Sequence, residues 1–120
     1  MAGVTDPKSF IDYVDTQTGD SETSVLIWKT RMGERKTYDD ISPVKQAAKA
    51  SCPILLLHGT DDTIVPIEQS KRMEKALKAA GKEVEFVTYK GQDHWETRGT
   101  ARVAMMEAAL SFLQKHNPAD

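Results

Sequence analysis

Residues 53–73 read PILLLHGTDDTIVPIEQSKRM, and this stretch decides the fold. Ile54 to Leu57 form an apolar run without polar alternation, closed by Pro53 on one side and His58-Gly59 on the other. That is how a strand buried on both faces reads, as at the centre of a parallel sheet. From Pro66 to Ala80 the apolar positions Met73, Leu77 and Ala80 fall at helical spacing, Glu68 sits in the electropositive first turn and Gly81 supplies the stop. Glu83 to Tyr89 (EVEFVTY) alternates Val84 and Phe86 with Glu83 and Glu85, which predicts a half-exposed strand near a sheet edge. A last helix is expected from about Arg98 to His116, with Val103, Met106, Leu110 and Leu113 along one face and Asn117-Pro118 ending it. Strand, helix, strand, helix is a βα unit repeated once, so the fold class is α/β, with parallel strands and right-handed crossover helices.

Upstream, residues 1–50 are polar and interrupted. Asp6-Pro7 fits an N-cap with proline at the first helical position, followed by an apolar stripe of Phe10, Ile11 and Val14 that ends before Gly19. Asp20 or Ser21 is positioned to cap a second helix carrying Val25, Leu26 and Trp28 and stopping at Gly33. The stretch GERKTYDD then has the composition of a surface loop, and Ser42-Pro43 repeats the cap-then-proline start for a brief helix through Ala50. The chain is therefore expected to be one domain, with residues 1–50 a helix-and-loop segment and 51–120 the strand-helix-strand-helix unit.

Composition excludes several classes. The 120 residues carry 16 basic and 18 acidic side chains, well mixed, for a formal charge of −2, so no basic field exists to collect nucleic acid. Mean hydropathy is −0.50 and no apolar run approaches the ~20 residues of a membrane span, so a soluble chain outside the membrane is expected. The start, MAGVTDPKSF, lacks the basic stretch and apolar region of a signal peptide. Cys52 is the single cysteine; it precedes the first strand and so belongs at the sheet edge opposite the polar loops, a packed or surface thiol. No disulfide or cysteine-based zinc cluster is available within the chain.

Chemistry in open α/β sheets sits at the carboxyl ends of the strands, and both polar clusters fall there: His58 to Pro66 after the first strand, Lys90 to Arg98 after the second. Adjacent parallel strands lie ~4.8 Å apart, so Asp62 and His94 are expected as spatial neighbours. A carboxylate on one imidazole nitrogen fixes the tautomer and steadies the cation formed when the other takes a proton from a nucleophile. A metal site from His58, Asp61, Asp62, Asp93 and His94 matches no ligand motif, and neither a metal nor a cofactor is expected. His58 reads as a structural residue at the strand end, Met105 and Met106 as helix core or its margin, Trp28 as packing, and Trp95 equally as pocket wall or packing.

At these residues the sequence resembles the C-terminal end of the α/β-hydrolase domain of the prolyl oligopeptidase family, serine peptidases that include dipeptidyl aminopeptidases and acylaminoacyl peptidases. The family pattern near the acid is an apolar strand, His-Gly, two residues, Asp, two residues, Val-Pro and a helix, followed after the next strand by Gly-x-x-His. PILLLHGTDDTIVPIEQSKRM matches the first part, and Gly91, Gln92, Asp93 and His94 match the second. The resemblance is strong over Ser42 to Asn117 and weaker at AGVTD, which is similar to the strand end and turn after the nucleophile region. Trp95 departs from the glycine common after the histidine and resembles a bacterial subgroup with His-Trp.

The resemblance implies that Asp62 is the triad acid and His94 the triad histidine, and that the sheet in this chain is an incomplete portion of an α/β-hydrolase fold. The serine would lie on a Gly-x-Ser-x-Gly elbow a few dozen residues before Gly3. The chain has no such elbow; Gly19-Asp20-Ser21-Glu22-Thr23 lacks the second glycine, and Ser21 reads as a helix cap. Two roles follow as expectations. One is the acid-and-histidine part of a hydrolase acting on peptide or ester substrates, inactive alone. The other is a non-catalytic module that pairs with an upstream half or with itself through the exposed sheet edge, since a two-stranded sheet is marginal unless extended or covered.

Overall fold

Pro7 begins the first helix, α1 (Pro7–Gln17), and Asp6 caps it: the Ser9 amide donates to Asp6 Oδ1 at 3.2 Å. The computed structural model describes residues 3–17, 22–95 and 99–118. Along the chain follow α2 (Glu22–Met32), short 3-10 segments at Arg35–Thr37 and Val44–Lys49, β1 (Ile54–Gly59), α3 (Glu68–Ala79), β2 (Val84–Tyr89) and α4 (Gly99–His116). The caps foreseen at Asp20 or Ser21, the turn at Gly19 and the start at Arg98 lie outside the described residues. Gly3 to Asp6 has no regular structure, so the strand end foreseen at AGVTD is not formed by its described residues.

The two strands pair in parallel, Ile54 opposite Val84 through Gly59 opposite Tyr89. With a single neighbour among the described residues, the apolar run Ile54 to Leu57 is only half-buried, and burial on both faces is not reached there. The crossover helix α3 ends as its sequence demands. Gly81 takes φ +67°, the Lys82 amide donates to Leu77 O at 2.9 Å and the Gly81 amide to Lys78 O at 3.0 Å, a paired closure that satisfies the last carbonyls. Leu77 is fully buried.

The core of the first fifty residues joins the second half at the loop after β1. Phe10, Val14 and Val65 are buried together, with Tyr13, Val25, Trp28 and Met32 against them, and the Trp28 ring meets Phe10 edge-on at 4.9 Å between centroids. Burying Phe10 contributes about 1.5–3 kcal/mol. Two local expectations change. Tyr38, inside the foreseen surface loop, is buried. Ser42 does not cap the helix after it; its hydroxyl donates to Thr5 O at 3.2 Å, and Val44–Lys49 is a 3-10 segment with no side-chain cap.

The largest correction concerns α4. Val103, Met106, Leu110 and Leu113, foreseen as its buried face, are 55% to 72% exposed. Ala101 and Met105 are the buried residues instead, and Ala104, Ala108, Phe112 and His116 are half-buried on the same spacing. The helix is apolar on more than one face, so periodicity alone does not choose between them. The alanine face admits the closer approach: the Tyr89 hydroxyl reaches Ala104 O at 3.4 Å, and Lys115 Nζ ties the far end to Glu83 and Glu85 at 3.2 and 2.7 Å. That ion pair lowers the Glu85 carboxyl and raises the Lys115 ammonium, each chiefly through the shared hydrogen bond. No described helix is long and apolar enough to cross a membrane.

Candidate active site

The loops leaving β1 and β2 continue the strand ladder and then touch. The Thr60 amide donates to Tyr89 O at 2.9 Å and the Asp61 amide to Gln92 O at 3.0 Å, while the Gly91 amide donates to Thr60 Oγ1 at 2.9 Å. Gly59 permits this contact, because a Cβ there would lie 2.2 Å from Gln92 O. The His-Gly pair thus has a steric reason: any larger residue at the end of β1 would push the second loop away.

The loop contact sets Asp62 against His94. His94 Nδ1 lies 2.8 Å from Asp62 Oδ2, with the carboxylate 2% exposed and the imidazole 20% exposed. Asp62 Oδ1 accepts the amides of Ile64 at 3.0 Å and Val65 at 2.8 Å. These donors make an Asx-type turn and supply what a buried carboxylate needs to stay charged. Because the carboxylate only accepts, the proton of the His94 pair is on Nδ1, and Nε2 is the nitrogen left to exchange a proton with a reacting group. Trp95, 70% exposed, meets the His94 ring edge-on at 5.3 Å, and its backbone N–H donates a hydrogen bond to Asp93 Oδ1 at 3.1 Å. It is a wall beside His94 rather than packing.

The other acidic residues near the pair face elsewhere. Asp61 Oδ1 accepts the Thr60 hydroxyl at 2.8 Å. His58, read from sequence as a strand-end residue, is fully buried and comes within 3.5 Å of Asp62 Oδ2. Its ring nitrogens also contact Ser70 Oγ at 2.7 Å and Val65 O at 2.9 Å. The signal for this contact was present in the four-residue step from His58 to Asp62, though the step alone does not separate it from ordinary packing. Cys52 is exposed and precedes β1, at the end of the strand away from His94.

Among the described residues, Glu83, Glu85 and His116 also bring ligand-type atoms within 4.8 Å of one another. The Lys115 ammonium already pairs with both carboxylates there, at the opposite end of β2 from His94. A groove beside α3, lined by Val44, Glu68, Lys71, Arg72 and Lys75 among others, includes neither Asp62 nor His94.

Comparison with known proteins relates the chain to others. Over 80 residues the chain is 44% identical to the Uncharacterized peptidase YuxL of Bacillus subtilis (strain 168), covering 64% of this chain and 12% of that protein. Over 76 residues it is 41% identical to the isoprenylcysteine alpha-carbonyl methylesterase of Arabidopsis thaliana, covering 57% and 18%. A puromycin-hydrolyzing peptidase of Mycobacterium tuberculosis superposes with a TM-score of 0.81 at 29% identity, over 98% of this chain and 18% of that one. An acylaminoacyl peptidase superposes equally well at 22% identity, a likeness of fold. The chain thus spans less than a fifth of the length of each of these relatives. It has a partial α/β-hydrolase fold, and the model of the prolyl oligopeptidase family matches residues 2–118. The chain belongs to the prolyl oligopeptidase family of serine peptidases and hydrolases.

Proposed function

We propose that this chain supplies the acid and the histidine of a serine hydrolase triad cleaving peptide or ester bonds, with Asp62 orienting His94. His94 Nε2 then acts as general base toward the serine and as general acid toward the leaving group. The observation that carries this reading is the 2.8 Å contact between His94 Nδ1 and a buried Asp62, formed by two loops at one end of the parallel pair. The serine must come from outside these 120 residues, because they hold no Gly-x-Ser-x-Gly elbow. The chain alone is therefore inactive. A fluorophosphonate probe should leave it unlabelled, and stoichiometric labelling dependent on His94 would overturn the proposal. Joined to a nucleophile-bearing half, the chain should restore hydrolysis, and Asp62→Asn should then lower kcat by about 10⁴-fold.

A second reading is favoured by a separate observation: β1 has one hydrogen-bonded neighbour and the Val103, Met106, Leu110, Leu113 stripe of α4 faces solvent. Such surfaces suit the upstream half of the hydrolase domain or a second copy of the chain. Light scattering on the dilute chain separates the cases: a dimer supports self-association, and a stable monomer rejects it.

A further inference from the structure

The acid loop between β1 and α3 is closed by one buried ring. His58 leaves the end of β1, contacts Val65 O on the loop at 2.9 Å through Nε2, and meets Ser70 Oγ in the first turns of α3 at 2.7 Å through Nδ1. A carbonyl can only accept, so Nε2 carries the proton; Nδ1 is then free to accept from the Ser70 hydroxyl. The same Nε2–H lies 3.5 Å from Asp62 Oδ2, the oxygen that accepts from His94. Asp62 therefore sees donors on every side: two amides on Oδ1, His94 on Oδ2, and the His58 N–H beside that same oxygen.

We infer that His58, held in its Nε2–H tautomer by Val65 O with the Ser70 hydroxyl donating to Nδ1, is a positioning residue that aims the Asp62 carboxylate at His94. The inference rests on reading Asp62 and His94 as one site. A histidine that only filled space would be indifferent to its tautomer and to the Ser70 hydroxyl. One that positions the acid requires a donor at Nε2 and an acceptor at Nδ1, because the reversed tautomer would set a lone pair against both Val65 O and Asp62 Oδ2 and turn the loop outward.

Long-range ¹H–¹⁵N correlation spectra of the histidine-labelled chain test this without any catalytic assay. The wild type should show a His58 proton on Nε2 facing Val65 O, and His94 with a slowly exchanging Nδ1–H shifted downfield by its bond to the carboxylate. Asp62→Asn should abolish the His94 signature. Ser70→Ala and His58→Ala should each speed exchange of the His94 Nδ1–H by about ten-fold, the factor for one lost hydrogen bond. His58→Gln, whose amide places a donor near the old Nε2, should restore most of the protection. If Asp62→Asn leaves His94 unchanged, the dyad reading falls and this inference with it. If Asp62→Asn acts but Ser70→Ala and His58→Ala do not, or if wild-type His58 carries its proton on Nδ1, the inference alone is overturned. Should His58→Ala not fold, the wild-type tautomer and Ser70→Ala still decide.

Discussion

Replacing Gly59 by alanine should disrupt the junction of the two loops, and the structure sets the size of the effect. The added Cβ would lie 2.2 Å from Gln92 O, 2.7 Å from Gln92 C and 2.9 Å from Gln92 Cβ, where ordinary contact begins at 3.4 Å. The nearest obstacle is backbone, which cannot rotate aside as a side chain can. The second loop must retreat by about 1 Å, a strain of about 1–3 kcal/mol. The same Gln92 carbonyl accepts the Asp61 amide at 3.0 Å, so that bond is lost as well, at about 0.5–1.5 kcal/mol. Against this stands a gain of about 0.4–1 kcal/mol from the stiffer unfolded chain. The net loss is centred on about 2 kcal/mol, which moves a urea midpoint down by about 1–2 M. Gly99→Ala is the control, since nothing lies within 4 Å of a Cβ there, and it should be neutral or slightly stabilising. A Gly59→Ala midpoint matching wild type would refute the close approach of the loops, and with it the steric account of the His-Gly pair.

Three other perturbations probe the rest of the scaffold. Gln69→Ala removes the acceptor for the Thr5 amide at 3.0 Å and the Asp6 amide at 2.8 Å, and should cost about 2–4 kcal/mol in thermal or urea unfolding; a loss below about 0.5 kcal/mol would mean that water replaces it. Leu77→Ala empties a fully buried site on α3 and should cost about 2–5 kcal/mol, read the same way, while a small loss would show that the helix closes onto the gap. The attachment of α4 should depend on pH. The Glu85 carboxyl is lowered from 4.5 and the Lys115 ammonium raised from 10.5 by their hydrogen bond. Their contribution is present between those values, fades as pH falls through the lowered Glu85 value, and fades again as pH rises through the raised Lys115 value. Hydrogen exchange at the end of α4 should quicken at both extremes relative to α3, and equal behaviour of the two helices would reject the pairing.

What the sequence conveyed follows the kind of signal each element carries. β1, α3 and β2 were legible because their patterns are local: an unbroken apolar run, a proline start with a glycine stop, and a two-residue alternation. The approach of Asp62 to His94 was legible for a topological reason, since parallel strands send successive loops to one edge. The packing face of α4 was not legible. Val103, Met106, Leu110 and Leu113 make as good a stripe as Ala101, Met105, Ala108 and Phe112, and the choice is made by tertiary contacts from Tyr89, Glu83 and Glu85. Ser42 misled for a similar reason. Its cap-like place before Pro43 is a local cue, but its hydroxyl is taken by Thr5 O, 37 residues away. The partners of His58 were hidden as well, because a histidine at a strand end reads alike whether it fills space or donates.

The first fifty residues acquire a purpose from the acid loop. A carboxyl group buried as deeply as Asp62 is costly to hold unless its oxygens are satisfied, so the loop that carries it has to be fastened on more than one side. β1 and α3 hold it through His58 and Ser70, and the His94 loop holds it through Gln92. The remaining side is α1: the Tyr13 hydroxyl donates to Thr63 O at 3.0 Å, Phe10 and Val14 bury Val65, and Gln69 grips Thr5 and Asp6 just before the helix starts. A helix with no chemistry of its own thus completes the cage around the acid. The polar, interrupted start of the chain and its apolar second half thus meet at one loop, with contacts from both around Asp62.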